Sequence, residues 1–461
     1  MKILIVANGY PPESYGGVEV YSASLAKSLV SRGHEVKVFC RKSDQAAPDF
    51  QIIEEKIGGI PVTRVINDFK GNRNFRGTYL SDRVQILFKQ VLEAETPDII
   101  HFNHLIGLDA NLPFLAGQMN IPSILSLHDF WAFCQRVHLI YYGDDKPCSG
   151  SSDTTKCELC MRARRGPTTW KSRLLSLVKM VIPFEGRQFL RRLLGIHTPV
   201  MFPMKSPMFQ ERNRIFQTSL SYPERLLAPS NFVRETYAQN GYSPLRIQVL
   251  PLGIDKELFA NPASAHQNQD GSLHLGVIGP IIPYKGIDVV IRAFKNTTST
   301  QLRLDIYGRE DTDPWYAAHL RELADGDRRI VFHGGFPPED RPRIFSSLDA
   351  VIISSVGYET FSIVAREALL AGKLVIACAG GALPEIIVDG VNGFLYRQAD
   401  PDDLTRVLKA IIETPEVVGK VNPGATGRIL SMDEHTAELE KIYSEVITSR
   451  KRLMDSYAFT R

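Results

Sequence analysis

The sequence predicts an α/β protein with two Rossmann-like halves. Strands, glycine-bearing loops and helices alternate from the amino terminus, and a second series of the same kind follows a polar stretch. The chain has 461 residues, which is more than one hydrophobic core usually supports. We therefore expect two domains that face each other across a cleft. The predicted division is a first domain over residues 1–255, a linker over 256–272, a second domain over 273–432 and a helical tail over 433–461.

The first half opens with a βαβ pattern, which is typical of a parallel sheet. Ile3 to Ala7 is apolar and predicts a buried strand. A loop with Gly16 and Gly17 follows, and then an amphipathic pattern predicts a helix from Glu19 to Arg32. Further strands are predicted at Val36–Cys40, Asp98–Phe102, Ser123–His128, Leu226–Ser230 and Val249–Asp255.

The second half repeats this pattern after the polar residues of the predicted linker. Strands are predicted at Leu273–Gly279, Leu302–Gly308, Ile330–Gly334 and Ala350–Ile353. The loop that follows the first of these strands leads into a helix and contains Lys285. Helix N-termini and loop amides favour anions, and a lysine adds a full positive charge. This loop is therefore a candidate phosphate site.

Two glutamates eight residues apart, Glu359 and Glu367, follow the buried strand that ends at Ile353. Glu359 lies in the predicted strand-to-helix turn, and Glu367 lies about two turns into a helix predicted from Phe361 to Leu370. Ligands bind at the carboxyl edge of open α/β sheets. The spacing allows the two carboxylates to contact different parts of an elongated ligand. A capping acid and a solvated helix acid are the ordinary alternative.

Two common nucleotide-binding classes are excluded. Gly372-Lys373 is followed by Leu374, so the Ser or Thr of a Walker A loop is missing. The first strand is not followed by the Gly-x-Gly-x-x-Gly turn that a dehydrogenase needs to approach a pyrophosphate. Neither ATP hydrolysis by a P-loop nor hydride transfer fits the sequence.

The second half resembles the retaining family 4 glycosyltransferases of the GT-B fold. That family has a Glu-x7-Glu pair that ends in Glu-Ala and is followed by a glycine-rich strand turn. Here the pair is Glu359 and Glu367-Ala368, and the continuation runs through Gly380-Gly381-Ala382-Leu383-Pro384-Glu385 to Asp389-Gly390-Val391-Asn392-Gly393. The resemblance spans nearly the whole chain except residues 148–216. It implies two Rossmann-like domains and a C-terminal helix that crosses back to the first domain.

The resemblance also implies roles for residues of the second half. Glu359 is expected to act at the donor sugar, Glu367 at the ribose, and the backbone of Gly380 and Gly381 near the sugar and phosphates. Lys285 matches a family lysine that binds the diphosphate. Pro280 stands where the family commonly has an arginine, so the diphosphate charge is expected to fall on Lys285 or on Arg309.

In the first half, the resemblance places Gly16 and Gly17 near the donor diphosphate and the acceptor, where absent side chains allow close approach. His128 follows a predicted strand and matches a family histidine, so its imidazole is expected to face the cleft as a catalytic group. His101 and His104 are weaker candidates, because they lie in or just after a strand whose end is simply polar.

The implied reaction is retaining transfer of a sugar from a nucleoside diphosphate to a glycan, a lipid-linked or a small-molecule acceptor, in polysaccharide biosynthesis. No cofactor or divalent metal is expected to be required for catalysis. The alternatives are a non-catalytic GT-B sugar-binding scaffold and a GT-B phosphorylase or epimerase. The joint presence of Glu359, Glu367, Lys285 and His128 argues against the scaffold.

The charge of the chain is unevenly distributed. The whole chain carries +3, which is too little to indicate nucleic acid, but residues 161–216 carry twelve Lys or Arg and only two acids. This basic helical insertion includes Trp170 and several leucines, so it is predicted either to dock on an anionic membrane or to pack on the first domain as an ordinary amphipathic helix. No signal peptide or spanning segment is recognised, which predicts a cytoplasmic protein. If the insertion docks on a membrane, the protein would lie peripherally at the inner face of the plasma membrane.

Four of the six cysteines cluster in a Cys-rich loop over residues 134–160, namely Cys134, Cys148, Cys157 and Cys160. Cys157 and Cys160 have the two-residue separation of metal ligands. Four thiolates could hold a structural zinc ion or an iron–sulfur cluster. Unliganded thiols and disulfides are the alternatives, although disulfides need an oxidising compartment. Cys40 and Cys378 lie in apolar strands and are predicted to be buried thiols.

Overall fold

The computed structural model describes residues 1–72, 74–141, 146–150, 153–162, 204–259 and 271–458. These residues form two open α/β units, each built around a largely parallel sheet, as the sequence predicts. Within these ranges, no helix combines the length and the apolar character that crossing a membrane requires.

The first sheet has eight strands in the order β10-β9-β6-β5-β1-β2-β4-β3. Its pairs are parallel except for the antiparallel hairpin of β3 and β4. Its strands are β1 (Lys2–Ala7), β2 (Glu35–Lys42), β3 (Ile52–Ile57), β4 (Ile60–Ile66), β5 (Ile99–Phe102), β6 (Ser123–Ser126), β9 (Arg225–Ala228) and β10 (Ile247–Val249). A separate two-stranded ribbon joins β7 (Ile140–Tyr141) and β8 (Lys146–Pro147).

The helices around this sheet are α1 (Gly17–Ser31), α2 (Asp82–Glu95), α3 (Leu112–Gln118), α4 (Thr154–Arg162), α5 (Ser206–Ser219) and α6 (Asn231–Gln239). Helix α2 shows how the sequence sets these boundaries. The Ser81 hydroxyl accepts from the Val84 amide at its start, and Thr96 adopts a left-handed conformation at its end. Its apolar face, which includes Val84, Phe88 and Leu92, is buried in the core.

The second sheet has six parallel strands in the order β13-β12-β11-β14-β15-β16. The strands are β11 (Leu273–Ile278), β12 (Leu302–Tyr307), β13 (Ile330–Gly334), β14 (Ala350–Ile353), β15 (Leu374–Cys378) and β16 (Gly393–Tyr396). The helices are α7 (Ile287–Lys295), α8 (Pro314–Ala324), α9 (Arg341–Ser346), α10 (Ile363–Leu370) and α11 (Pro401–Glu413). Helix α10 begins two residues later than predicted, so Glu367 lies about one turn into it.

Both sheets have a topological switch point, because the strands that follow the first strand of the unit are added on both of its sides. The switch lies between β1 and β5 in the first sheet and between β11 and β14 in the second. Crevices at such points are the usual ligand sites of open α/β sheets. The loops after these four strands are therefore the first place to look for a site.

The long helix α12 (Met432–Ala458) crosses back to the first unit, as expected. Its first turn lies beside the end of that unit, where Ile254 and Ser431 form an isolated bridge. Arg32, the C-cap residue of α1, pairs with Asp433 at 2.7 Å and with Glu440 at 2.8 Å. The apolar face of α12, including Leu439 and Tyr443, packs in the same core as β1 and α1.

The basic insertion lies mostly outside the described residues, since residues 163–203 are not described. Membrane docking by this segment stays a prediction. The described end of the insertion corrects one part of it. Arg212, one of the twelve basic residues counted in the insertion, is only 1% exposed, and Phe209 and Phe216 of the same helix are core residues.

Candidate active site

The centre of the candidate site is an ion pair across the switch point of the second sheet. Lys285 follows β11 and Glu359 follows β14, and these two strands are direct neighbours. The Lys285 ammonium lies 2.7 Å from a Glu359 carboxylate oxygen. Residues 74 positions apart in the chain are therefore joined because their strands end at the same edge of the sheet.

Glu359 is buried, with 8% of its surface exposed. Burial alone would raise the pKa of its carboxyl group, but the ammonium of Lys285 and the hydroxyl of Ser355 outweigh it, so the pKa lies below the ordinary value. Glu359 is thus ionised at neutral pH. A buried carboxylate of this kind can stabilise positive charge on a sugar ring or accept hydrogen bonds from sugar hydroxyls.

Glu367 projects from α10 and is 3% exposed. Its carboxylate accepts from the Arg341 guanidinium of α9 at 2.5 Å. Burial raises the pKa of Glu367, and the positive charge of Arg341 opposes this shift only in part. The predicted ribose ligand is therefore satisfied by an arginine that the sequence did not single out.

The turn of Gly380 and Gly381 packs directly behind Glu359. Gly381 has φ +68°, and a β-carbon there would lie 2.2 Å from the Glu359 carbonyl oxygen. The Ala382 amide donates to the same oxygen at 2.7 Å. At Gly380, a β-carbon would lie 2.7 Å from the Gln398 carboxamide. The glycines therefore position the Glu359 loop, and their predicted approach to sugar and phosphate stays a prediction.

His128 follows β6 of the first sheet and reaches the same region. Its carbonyl oxygen accepts from the Thr360 hydroxyl at 2.9 Å, which joins it to the residue after Glu359. Its ring lies 5.0 Å from the Tyr21 ring, and its buried Nε2 has no hydrogen-bond partner within the described part of the chain. Burial lowers the pKa of His128 to about 3, so the imidazole is neutral at physiological pH.

The other two histidines are held by protein groups. His101 bonds to the Tyr443 hydroxyl of α12 at 2.7 Å and to the Ser126 hydroxyl at 2.8 Å. It is therefore a structural link between β5, β6 and α12. His104 pairs with the Asp129 carboxylate. Burial would lower the pKa of His104, but the Asp129 charge outweighs it and raises this pKa.

Gly16 is the N-cap residue of α1 and Gly17 is its first residue, so the helix begins two residues earlier than the predicted Glu19. A β-carbon at Gly16 would lie 2.3 Å from a carboxylate oxygen of Glu19, whereas Gly17 has open space at that position. The buried Glu19 carboxylate accepts from Asn8 at 2.9 Å and from Ser14 at 2.8 Å, so it organises the loop. Only Gly17 leaves room for a ligand.

Arg309 does not join this centre through any contact among the described residues. Its guanidinium binds Asp311, at 2.7 and 3.0 Å, and its side chain is 68% exposed. Of the two predicted diphosphate cations, Lys285 is the one placed beside Glu359.

Contacts between the two units surround the site. The Glu385 carboxylate accepts from the Asn231 and Phe232 amides and so caps α6 of the first unit. The Ser230 hydroxyl donates to the Thr360 carbonyl oxygen at 2.8 Å. His128, Lys285 and Glu359 consequently lie where the carboxyl edges of the two sheets meet.

The Cys-rich loop also reaches the second unit. The His138 ring lies 4.0 Å from the Tyr284 ring, next to Lys285, and Ile140 packs with Val289 and Val356. The Tyr284 hydroxyl donates to the Tyr358 carbonyl oxygen at 2.8 Å. This loop therefore borders the candidate active site.

All four cysteines of the loop are free thiols and line one cavity of about 30 Å³. Cys157 and Cys160 lie three residues apart on α4, so the predicted irregular knuckle is a helical turn. Burial and the neighbouring thiols of Cys134, Cys148 and Cys160 raise the pKa of Cys157 to about 12. Among the residues that the structure describes, no three His, Cys, Asp or Glu side chains form a ready metal site. A metal at this loop stays a prediction.

Sequence reasoning missed several groups that complete the site. Ser355 lies within the recognised motif, and its position four residues before Glu359 gave the only available signal. No local pattern distinguishes Arg341, Glu19 or Tyr284, because each acquires its role through contacts with distant parts of the chain.

The fold and this site define the class of protein as a glycosyltransferase with two Rossmann-like domains, the GT-B fold. Family models match both halves: the model described as Glycosyltransferase Family 4 matches residues 15–150, and the one described as Glycosyl transferases group 1 matches residues 272–414. Together they cover more than half of the chain. The chain belongs to the family 4 glycosyltransferases.

Similar proteins agree with this assignment. An uncharacterized glycosyltransferase of Methanocaldococcus jannaschii is 25% identical over 409 residues, which are 88% of this chain and 87% of that protein. A D-inositol 3-phosphate glycosyltransferase of Xylanimonas cellulosilytica is 30% identical over 224 residues, which are 44% of this chain and only 52% of that protein. An Anabaena protein solved with UDP and glucose has the same fold, with 16% identity, a TM-score of 0.62 and coverage of 96% and 99%.

Proposed function

We propose that this protein transfers a sugar from a nucleoside diphosphate donor to a glycan, a lipid-linked or a small-molecule acceptor, with retention of anomeric configuration. The Lys285–Glu359 ion pair at the edge of the second sheet carries this proposal, together with His128 from the opposite unit. The pair offers one cation for a leaving phosphate and one carboxylate for the sugar. Retention rests on the resemblance of the Glu359 and Glu367 motif to that of the family.

The chemistry follows from where charge develops. As the glycosidic bond to phosphate breaks, negative charge grows on the phosphate oxygen and positive charge grows on the sugar ring. Lys285 is suited to the first charge and Glu359 to the second. His128 is neutral, so its unpartnered Nε2 can hydrogen-bond a sugar hydroxyl or a phosphate oxygen without adding charge.

Glu367 is suited to bind a ribose, because a carboxylate can accept hydrogen bonds from two vicinal hydroxyl groups. In the structure that carboxylate is bound by Arg341. Donor binding would therefore place the ribose against the Arg341–Glu367 pair. A cytoplasmic location, a role in polysaccharide biosynthesis and peripheral membrane contact remain predictions.

The first experiment measures thermal stabilisation by UDP, GDP and ADP, and by their sugar derivatives, because a ligand that binds the folded state raises its melting temperature. The Anabaena neighbour was solved with UDP and glucose, so UDP and UDP-sugars are tested first. Lys285→Ala should reduce the shift by a nucleoside diphosphate and leave a weak response to the free nucleoside unchanged. The exposed Arg309→Ala is the matched control.

Turnover then separates the alternatives. Release of nucleoside diphosphate in the presence of an acceptor supports the transferase. Binding without turnover for any acceptor would favour the non-catalytic scaffold, and turnover that requires inorganic phosphate would favour a phosphorylase. If Lys285→Ala binds the diphosphate as tightly as the wild type, another cation holds the phosphate and the proposed arrangement is wrong.

A further inference from the structure

The four cysteines of the Cys-rich loop come together from three separate pieces of chain. Cys134 lies in the turn after β6, where the Val137 amide donates to its carbonyl oxygen at 2.9 Å. Cys148 follows β8, and its amide donates to the Leu139 carbonyl oxygen at 2.7 Å. Cys157 and Cys160 share one face of α4, because residues three apart on a helix are neighbours. All four line the same small cavity.

We propose that this cavity binds one zinc ion through Cys134, Cys148, Cys157 and Cys160. Four cysteines are the donor set of closed, tetrahedral structural zinc sites. The cavity of about 30 Å³ that the four cysteines line is large enough to admit a single ion. The site is structural, because a fourth thiolate leaves no open position for a substrate.

A buried charge beside the cavity supports this assignment. Arg212 of α5 is 1% exposed, and no carboxylate pairs with it within the described ranges. Its guanidinium donates to the Trp131 and Ala132 carbonyl oxygens and lies over the Phe216 ring at 4.4 Å. Its Nε has no partner in the described part of the chain. A buried cation without an anion is costly, so an anionic partner is expected nearby.

Zinc bound by four thiolates supplies that partner, since the site then has a net charge of −2. The four thiols border one cavity, but among the described residues they do not form a ready ligand set. Binding therefore requires side-chain movement within the existing cavity.

The position of the loop gives the zinc a structural role. Val137 and Leu139 have positive φ angles of 74° and 52°, which are rare for such residues and need support from the surrounding structure. Between them, His138 contacts the Tyr284 ring of the second unit. A metal clip on both sides of this segment would fix the surface that borders Lys285.

The test is metal analysis of the full-length protein purified without chelators. We expect about one zinc ion per chain and six free thiols under denaturing, non-reducing conditions after the metal is removed. Cys157→Ser with Cys160→Ser should lower the zinc content at least about tenfold. Cys40→Ala, which removes a buried cysteine outside the cluster, should keep it.

A second variant pair tests the charge argument even if the double serine variant does not fold. Arg212→Met removes the buried cation and should weaken zinc binding about tenfold in competition with a chromophoric chelator. Arg214→Met changes an exposed arginine on the same helix and should leave zinc affinity unchanged. Absence of zinc in the wild type, iron with visible absorption, or fewer than six free thiols would overturn the proposal. Equal zinc affinity of Arg212→Met and Arg214→Met would show that the Arg212 cation does not support zinc binding.

Discussion

At the scale of single residues, the Lys285–Glu359 pair sets a buried carboxylate against an ammonium group whose side chain is 29% exposed. A buried ion pair contributes little net stability on average, because desolvation offsets the attraction. Such a pair is more readily explained by function, since groups with shifted pKa values concentrate at active sites. The pair also explains why Glu359 stays ionised despite its burial.

Glu359→Gln should reduce turnover much more than donor affinity. The amide keeps the shape of the side chain but cannot stabilise positive charge that develops on the sugar ring. We expect kcat to fall about 100-fold, with donor Kd changing less than about threefold. The exposed Glu413→Gln is the control for a lost carboxylate. Near-normal kcat in Glu359→Gln would remove this residue from the transition state.

Glu367→Ala should mainly weaken nucleotide binding. The change removes the predicted ribose ligand and leaves Arg341 without its carboxylate, so we expect donor Kd to rise about tenfold while kcat at saturation falls less. Calorimetric titration with the nucleoside diphosphate measures the first effect. Arg341→Gln is the companion variant. If it weakens binding as much as Glu367→Ala, the pair acts as a unit.

At the scale of elements, a comparison of two glycines distinguishes the effect of backbone strain from the effect of contact with Glu359. Gly381 and Gly372 have nearly the same φ, +68° and +69°, but a β-carbon would touch the Glu359 backbone only at Gly381 and meets open space at Gly372. The pair is therefore a natural control experiment for the Glu359 loop.

Gly381→Ala should destabilise the protein and also lower activity. Strain at positive φ costs about 1–2 kcal/mol at either position. At Gly381, the Glu359 backbone must also move, and we expect a loss of kcat of about tenfold or more. Gly372→Ala should show a similar strain cost with activity retained. Chemical denaturation and steady-state kinetics measure both, and equal activity of the two variants would contradict the proposed support of Glu359.

At the scale of the whole molecule, α12 joins the two ends of the chain through buried histidines. Tyr21 of α1 bonds to His435 at 2.7 Å, and His101 bonds to Tyr443. Burial lowers the pKa of His435 to about 4 and of His128 to about 3, and it lowers that of His101 well below the ordinary value. These residues are therefore neutral in the folded protein at pH values where the unfolded chain begins to bind protons.

These three buried, neutral histidines predict that the protein loses stability in mild acid. The ordinary histidine pKa is about 6.5. Below this pH the histidines of the unfolded chain are protonated, whereas the buried histidines of the folded protein stay neutral. The free energy of unfolding therefore falls as the pH decreases. For His435 the window runs from about 6.5 down to about 4. His435→Gln should reduce the slope by up to about 1.4 kcal/mol per pH unit. Chemical denaturation at pH values from about 7.5 to about 4.5 measures this slope in the wild type and the variant.

The control is His319→Gln in α8, which removes a histidine that does not belong to this buried group. The same slope in wild type and His435→Gln would show that His435 becomes protonated without unfolding. In that case the bond between Tyr21 and His435 would not be needed to hold α12 in place.

The sequence by itself determined the alternation of strands and helices, the two-unit architecture and the motif containing Glu359 and Glu367. Apolar periodicity and glycine placement are local, so they can be recognised within a short segment. The structure confirms the predicted strands at β1, β6, β11 and β14, although β6 ends at Ser126 and β11 at Ile278, one or two residues earlier than predicted.

Only the tertiary structure decided which side chains meet. The pairing of Lys285 with Glu359 depends on β11 and β14 being neighbours, and the capture of His101 by Tyr443 joins residues 342 positions apart. Arg212 belongs to the basic insertion, yet it is buried among aromatic rings. Contacts of this kind are set by how strands order within a sheet and how helices pack on it, and no local pattern of residue types records that choice.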